Sequence, residues 1–267
     1  MSRLSDRFTC RSGVKIYIED NGQGMPILAL HGLGGGAWFF NGLARRLADQ
    51  YRVIALDLPG TGRSDAPPGR MSIQAWVADI EDLVLHHVGE PVVLIGHSMS
   101  AIIALTAAAV WPGTLRATVF VGGLPEAQPE IKDRLALRVE AVTRSGMQGT
   151  GTAVAAANFS AATMERQPEV VGLFERLFDA QDPESYIRCC RILMQASAAG
   201  LPARVKGPCL SLSGAGDHYA PPDLVASFVG EIPDCTLKIL PDCGHYPFLE
   251  QPEAFVTELR SFIERVC

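Results

Sequence analysis

The sequence predicts an α/β protein: a mostly parallel sheet with helices on both faces and an inserted helical cap. Three observations carry that expectation. Short β-branched apolar runs at 27–30, 53–56, 92–95, 117–121, 210–212 and 236–240 read as buried parallel strands. Between them, segments 43–50, 73–87, 101–110, 222–229 and 252–265 space their apolar residues three and four apart, as one-faced helices require. Alternating strand and helix implies a parallel sheet covered on both sides. The alternation then stops after Val121 and resumes at Pro208, and the stretch between them is rich in Ala, Met, Arg and Gln at helical spacing without strand signal.

Each part has its own signal. Residues 8–10 and 14–18 flank the turn Arg11-Ser12-Gly13 and predict an antiparallel hairpin on one edge. The core is assigned to 1–123 and 205–267, and the helical cap to 124–204. Within the cap, 146–157 reads as a weak break, Pro168 and Pro183 fit helix starts, and Gly200-Leu201-Pro202 marks the exit. The 267 residues suit one domain with a large insertion, and no repeat is visible.

Composition excludes several classes. A chain 48% hydrophobic and 19% charged is too apolar to be disordered. Its net charge of -6, without a basic run, argues against nucleic acid. The first twenty residues hold no signal-peptide apolar core, and the longest apolar stretch, 101–111, is interrupted by Thr106 and falls short of a membrane span. Seven cysteines without CxxC spacing predict reduced thiols, no metal site and a cytoplasmic location. The oligomeric state is not legible.

Chemistry enters where strand 92–95 runs into Gly96-His97-Ser98-Met99-Ser100 and an Ala-rich helix. This places Ser98 on a nucleophile elbow, its hydroxyl above the sheet and the helix amino terminus beside a developing oxyanion. Ser100 stands where the G-x-S-x-G pattern has glycine, so a hydroxymethyl group must fit there.

A serine hydroxyl needs a base, and the base needs a carboxylate to fix its tautomer. Asp217 follows strand 210–212 in Ser213-Gly214-Ala215-Gly216-Asp217; His245 follows strand 236–240 in Pro241-Asp242-Cys243-Gly244-His245. Both lie at carboxyl ends of strands, where open parallel sheets bind ligands. His86 and His87 end a helix, His218 reads as a loop residue, and His97 as a packed neighbour of Ser98. Asp223 falls at a helix start, Asp242 lies too close to His245 in sequence, and Glu126 is the alternative acid. Cys243 reads as a packed thiol.

The glycine-rich His31-Gly32-Leu33-Gly34-Gly35-Gly36 follows strand 27–30 and lacks both G-K-[ST] and spaced G-x-G-x-x-G, which speaks against a nucleotide loop. On a hydrolytic reading the Leu33 and Met99 N–H groups form the oxyanion hole. Trp38, Phe39 and His97 are the candidate substrate-lining residues, although packing explains the aromatic rings equally well. Met147, Met164 and Met194 read as cap core. The cap carries eight Arg and one Lys against ten Asp plus Glu, so it has no net positive field, yet one buried Arg would suffice to favour an anion.

Taken together, these motifs make the chain resemble the α/β-hydrolase family over nearly its whole length. His31-Gly32-Leu33-Gly34 is similar to the family's H-G-x-G, Asp57-Leu58-Pro59-Gly60-Thr61-Gly62-Arg63-Ser64 to its D-x-P-G-x-G-x-S loop, and 96–100 to its elbow. The segment 244–253 is similar to its G-H-x-x-x-x-E-x-P-E. The order Ser98, Asp217, His245 is the family's order. The resemblance implies an α/β-hydrolase fold and a serine hydrolase of the 3-oxoadipate enol-lactonase-like or carboxylesterase-like kind. It would act on a small-molecule ester or lactone through an acyl-enzyme, without cofactor or metal. The elbow is also similar to those of bacterial stress-regulator hydrolases and plant strigolactone-type receptors. A slow-turnover ligand sensor and a carbon–carbon bond hydrolase of ring-cleavage products are therefore the alternatives. Ser98 in place of Asp sets the chain apart from haloalkane dehalogenases and epoxide hydrolases.

Overall fold

A computed structural model describes residues 4–66, 71–111 and 113–267. Eight strands form one sheet: β1 (Leu4–Thr9), β2 (Lys15–Asn21), β3 (Met25–Leu30), β4 (Tyr51–Leu56), β5 (Val92–His97), β6 (Leu115–Val121), β7 (Cys209–Gly214) and β8 (Cys235–Leu240). Their order is β1-β2-β4-β3-β5-β6-β7-β8; β2 pairs antiparallel with β1 and β4, and every other pairing is parallel. The edge hairpin forms as expected, closed by the Cys10 N–H on the Val14 carbonyl at 2.8 Å.

Helices α1 (Asn41–Leu47), α2 (Ile73–Leu83) and α3 (Met99–Val110) connect the central strands. The step from β3 to β4 runs one way across the sheet; those from β4 to β5 and β5 to β6 run the other. Right-handed crossovers therefore put α1 on the face opposite α2 and α3. The later helices α9 (Pro222–Gly230), α10 (Pro247–Glu250) and α11 (Pro252–Val266) follow β7 and β8, and α11 packs on α1. β5 is buried along its whole length, which is why it reads as an unbroken apolar run. β3 lies between β4 and β5, so chain direction reverses there and a crevice opens at the carboxyl ends of β3 and β5.

Between β6 and β7 come α4 (Pro129–Ser145), α5 (Thr150–Asn158), α6 (Ala161–Arg166), α7 (Pro168–Asp179) and α8 (Pro183–Gln195). Pro168 and Pro183 do open helices. The break expected over 146–157 is confined to its start. Gly146 and Gly149 take positive φ of 69° and 78°, after which alanines carry α5. A two-residue bridge, Glu126 with Ser197, ties the ends of the insertion together, which no strand signal announced. The helix expected over 73–87 changes to a π turn at Val84–Val88, closed by Gly89 at φ 78°. Met164 is exposed, against the expectation of cap core, while Met147 is buried.

Candidate active site

Ser98 occupies a conformation few non-glycine residues adopt, φ 53° and ψ -115°, between the end of β5 and the first turn of α3. The surroundings hold it there. Its N–H donates to the Val121 carbonyl at 2.9 Å. Gly96 leaves no room for a side chain: a Cβ would lie 2.3 Å from the Ser100 carbonyl oxygen. The extra hydroxymethyl of Ser100 does fit; it is fully buried and its hydroxyl donates to the His31 carbonyl at 2.6 Å.

The three candidate catalytic side chains meet. His245 Nε2 lies 2.9 Å from Ser98 Oγ and its Nδ1 lies 2.8 Å from Asp217 Oδ2. The second carboxylate oxygen accepts from the Tyr219 and Ala220 N–H groups at 2.8 and 2.9 Å. Asp217 is thus oriented by backbone and accepts from Nδ1–H, leaving the Nε2 lone pair facing the serine hydroxyl. Asp217 and His245 are 2% and 3% exposed, so water does not compete for these bonds. Glu126 is not at the imidazole; it sits at the bridge closing the insertion.

The loop bearing His245 is anchored by the buried carboxylate of Glu250. It accepts from the N–H groups of Gly244 at 3.0 Å and Tyr246 at 3.1 Å, from the Ser160 N–H at 2.9 Å and from the Thr163 hydroxyl at 2.9 Å. The His245 N–H itself donates to the Asn158 carbonyl at 2.8 Å. The base is therefore held by the inserted helices as well as by the sheet.

His97 is a buttress. Its Nε2–H donates to the His245 carbonyl at 3.0 Å, and burial pushes its pKa well below the ordinary value, so the ring is neutral. His31 is also neutral through burial: the Leu58 N–H donates to its Nε2 at 3.0 Å, placing the ring proton on Nδ1 beside the Gly32 carbonyl. Asp57 accepts from the Ala37 N–H at 2.7 Å and from Arg63 N–H and Nε at 2.9 Å. Burial opposes its charge, but the Arg63 and Ala37 bonds prevail and hold the carboxyl below its ordinary value.

Two small cavities, each of ≈ 20 Å³, open on either side of Ser98. Leu33 lines one and Met99 the other, so both expected oxyanion residues flank the hydroxyl; the Met99 N–H is the first of α3, for which a helix has no internal acceptor. Trp38 and Phe39 line neither. The turn Ala37–Phe40 carries them under α7, where Phe39 stacks on Phe174 at 6.1 Å and Trp38 borders an outer groove. His97 touches one cavity; its Nε2 is committed to the His245 carbonyl, and its buried Nδ1 has no hydrogen-bond partner among the described residues.

Sequence reading missed Arg138, Tyr219, Asn158 and Tyr246, which line the cavity beside Leu33. For Arg138 a signal existed: it falls on the same stripe of α4 as the buried Ile131, Leu135 and Val142.

Fold and site define a hydrolase scaffold, and comparison with known proteins agrees. The chain belongs to the alpha/beta hydrolase family, whose profile matches residues 27–258. It is 28% identical to the pimeloyl-[acyl-carrier protein] methyl ester esterase of Chromobacterium violaceum, over 94% of this chain and 99% of that one. It is 27% identical to the 2-hydroxy-6-oxo-6-(2'-aminophenyl)hexa-2,4-dienoic acid hydrolase of Metapseudomonas resinovorans, over 99% and 92%. Among solved structures, a thermophilic esterase from Thermogutta terrifontis superposes with a TM-score of 0.90 at 25% identity, covering 98% and 99% of the two chains. The enol-lactonase from Burkholderia xenovorans LB400 shares the fold, with a TM-score of 0.89 at 22% identity over 97% and 100%. No helix among the described residues is long and apolar enough to cross a membrane.

Proposed function

We propose that the chain is a serine hydrolase cleaving a carboxylic ester or lactone of a small molecule. The observation that carries this reading is the pair of contacts made by His245, 2.9 Å to Ser98 Oγ and 2.8 Å to Asp217 Oδ2. Nε2 takes the serine proton as Oγ attacks the carbonyl carbon, and Asp217 stabilises the imidazolium formed. The Leu33 and Met99 N–H groups receive the oxyanion. The imidazolium then protonates the leaving alcohol, an acyl-enzyme remains, and His245 activates water to release the acid. The helices of 124–204 act as the cap over this site. The esterases among the relatives and structural neighbours support the substrate class.

Replacing Ser98 by Ala tests this with 4-nitrophenyl acetate: turnover should fall by at least ~10⁴-fold with the fold intact. Undiminished turnover refutes the proposal. A second reading, hydrolysis of a carbon–carbon bond in an oxo-dienoic acid, uses the same three residues and is favoured by the Metapseudomonas relative. Ser98-dependent turnover of such an acid, with none of esters or lactones, would select it.

A further inference from the structure

Arg138 sits half-buried on the inner stripe of α4 and lines the cavity that Ser98 and His245 also line. Its only hydrogen-bond partner among the described residues is the Tyr186 hydroxyl, to which Nη1 donates at 3.2 Å. No carboxylate of the described residues lies within ion-pair distance of it. A guanidinium has five N–H donors, and withdrawing one from water without an anion is unfavourable.

Tyr219 borders the same cavity, and its hydroxyl is shut off from solvent without a hydrogen-bond partner. The ring is placed by the acid loop, since the Tyr219 N–H donates to Asp217 Oδ1, and its centroid is 5.1 Å from that of His245. Burial pushes the phenols of Tyr219 and Tyr186 well up, so both keep their protons and can donate. Arg138, Tyr219 and Tyr246 line one cavity, and the Arg138 charge acts on the phenols of Tyr186, Tyr219 and Tyr246.

The cavity across Ser98 is different. Apolar Met99, Ile102, Leu124 and Leu193 line it, Tyr219 borders it as well as the first cavity, and its one charged residue among the described residues is Glu126, an anion. A substrate with an apolar end and an anionic end has one favourable orientation across the serine.

Resting on the serine-hydrolase reading, we infer that Arg138 and the Tyr219 hydroxyl form an anion subsite, and that the substrate is a short ester or lactone bearing a free carboxylate. The carboxylate takes the N–H donors that Arg138 has left over and the Tyr219 O–H, and the scissile carbonyl falls at Ser98. With a net charge of -6 the protein has no long-range attraction for such an anion, so this local cation is the discriminating element. Each cavity, ≈ 20 Å³, has room for about one water molecule, so a substrate enters only when the inserted helices move.

The test compares kcat/KM for monomethyl glutarate and methyl pentanoate, esters of similar length differing in the carboxylate. The wild-type protein should favour the anionic ester by about 10- to 100-fold, the range for a charge-assisted hydrogen bond. Arg138→Gln should remove most of that ratio, mainly through KM, and Arg138→Lys should restore part of it. A wild-type ratio near one, or a ratio unmoved in Arg138→Gln, overturns the inference. Binding of glutarate to the Ser98→Ala protein, read by calorimetry, keeps the subsite separate from the chemistry. That protein should bind glutarate at least tenfold more tightly than the Ser98→Ala/Arg138→Gln double variant, and equal binding overturns the subsite even where Ser98 proves catalytic. Full ester turnover by Ser98→Ala would instead defeat the serine-hydrolase reading.

Discussion

The Ser100 hydroxyl donates to the His31 carbonyl across 2.6 Å, joining the first turn of α3 to the end of β3. The two segments supply Met99 and Leu33, so this bond sets the distance between the two expected oxyanion donors. A glycine at 100 could not make it. Ser100→Ala should leave the buried carbonyl unsatisfied and destabilise the protein by about 1–3 kcal/mol. Ester turnover should fall in kcat more than in KM. Denaturant unfolding with an unchanged midpoint would show that the bond contributes nothing.

The φ of 53° at Ser98 stores strain of about 1–3 kcal/mol, partly offset in a glycine variant by the ~0.5–1 kcal/mol that glycine loses in chain entropy. Ser98→Gly should therefore melt higher than Ser98→Ala, with both inactive. The reverse order of melting temperatures would mean that the turn is unstrained.

Glu250 accepts four hydrogen bonds in a buried position, from Gly244, Tyr246, Ser160 and Thr163. An amide at this site must turn one donor toward N–H groups that also donate. Glu250→Gln should destabilise by about 3 kcal/mol and lower kcat by loosening the His245 loop, with KM nearly constant. Retention of both stability and kcat would assign the anchoring to the remaining backbone bonds.

Burial holds His31 and His97 neutral in the folded protein, with pKa values below the ordinary 6.5. As pH falls through about 6.5 the unfolded chain takes up protons at both positions while the folded chain does not, so stability declines. Each histidine contributes a slope of up to ~1.4 kcal/mol per pH unit below that point. Asp57 acts on the same side but only near and below its ordinary 3.8, because its folded value is depressed. Unfolding free energies measured between pH 5 and 8 should show the decline beginning near 6.5; a flat profile there would contradict neutral burial of the two rings.

The order of elements was legible because each is specified locally: a strand by its continuous apolar run, a helix by its period, the elbow by strand, Gly-x-Ser and helix in succession. Ser98, Asp217 and His245 could be chosen for the same reason, since each follows a recognisable strand end. The pairing of Glu126 with Ser197, the turn that carries Trp38 and Phe39 away from the serine, and the His97 bond to the His245 carbonyl were not legible. Each depends on segments far apart in sequence, whose meeting no local pattern encodes.

By itself, then, the amino-acid sequence determined the α/β architecture, the helical insertion and the three residues proposed for acyl transfer, because periodicity and turn chemistry act over a few residues. Only the tertiary structure decided which nitrogen of His245 faces Ser98 and which faces Asp217, and that Arg138 borders the same cavity without an anionic partner among the described residues. A side chain's partners follow from packing across the whole chain, and an arginine on an apolar stripe acquires a role only when the fold shows what it faces.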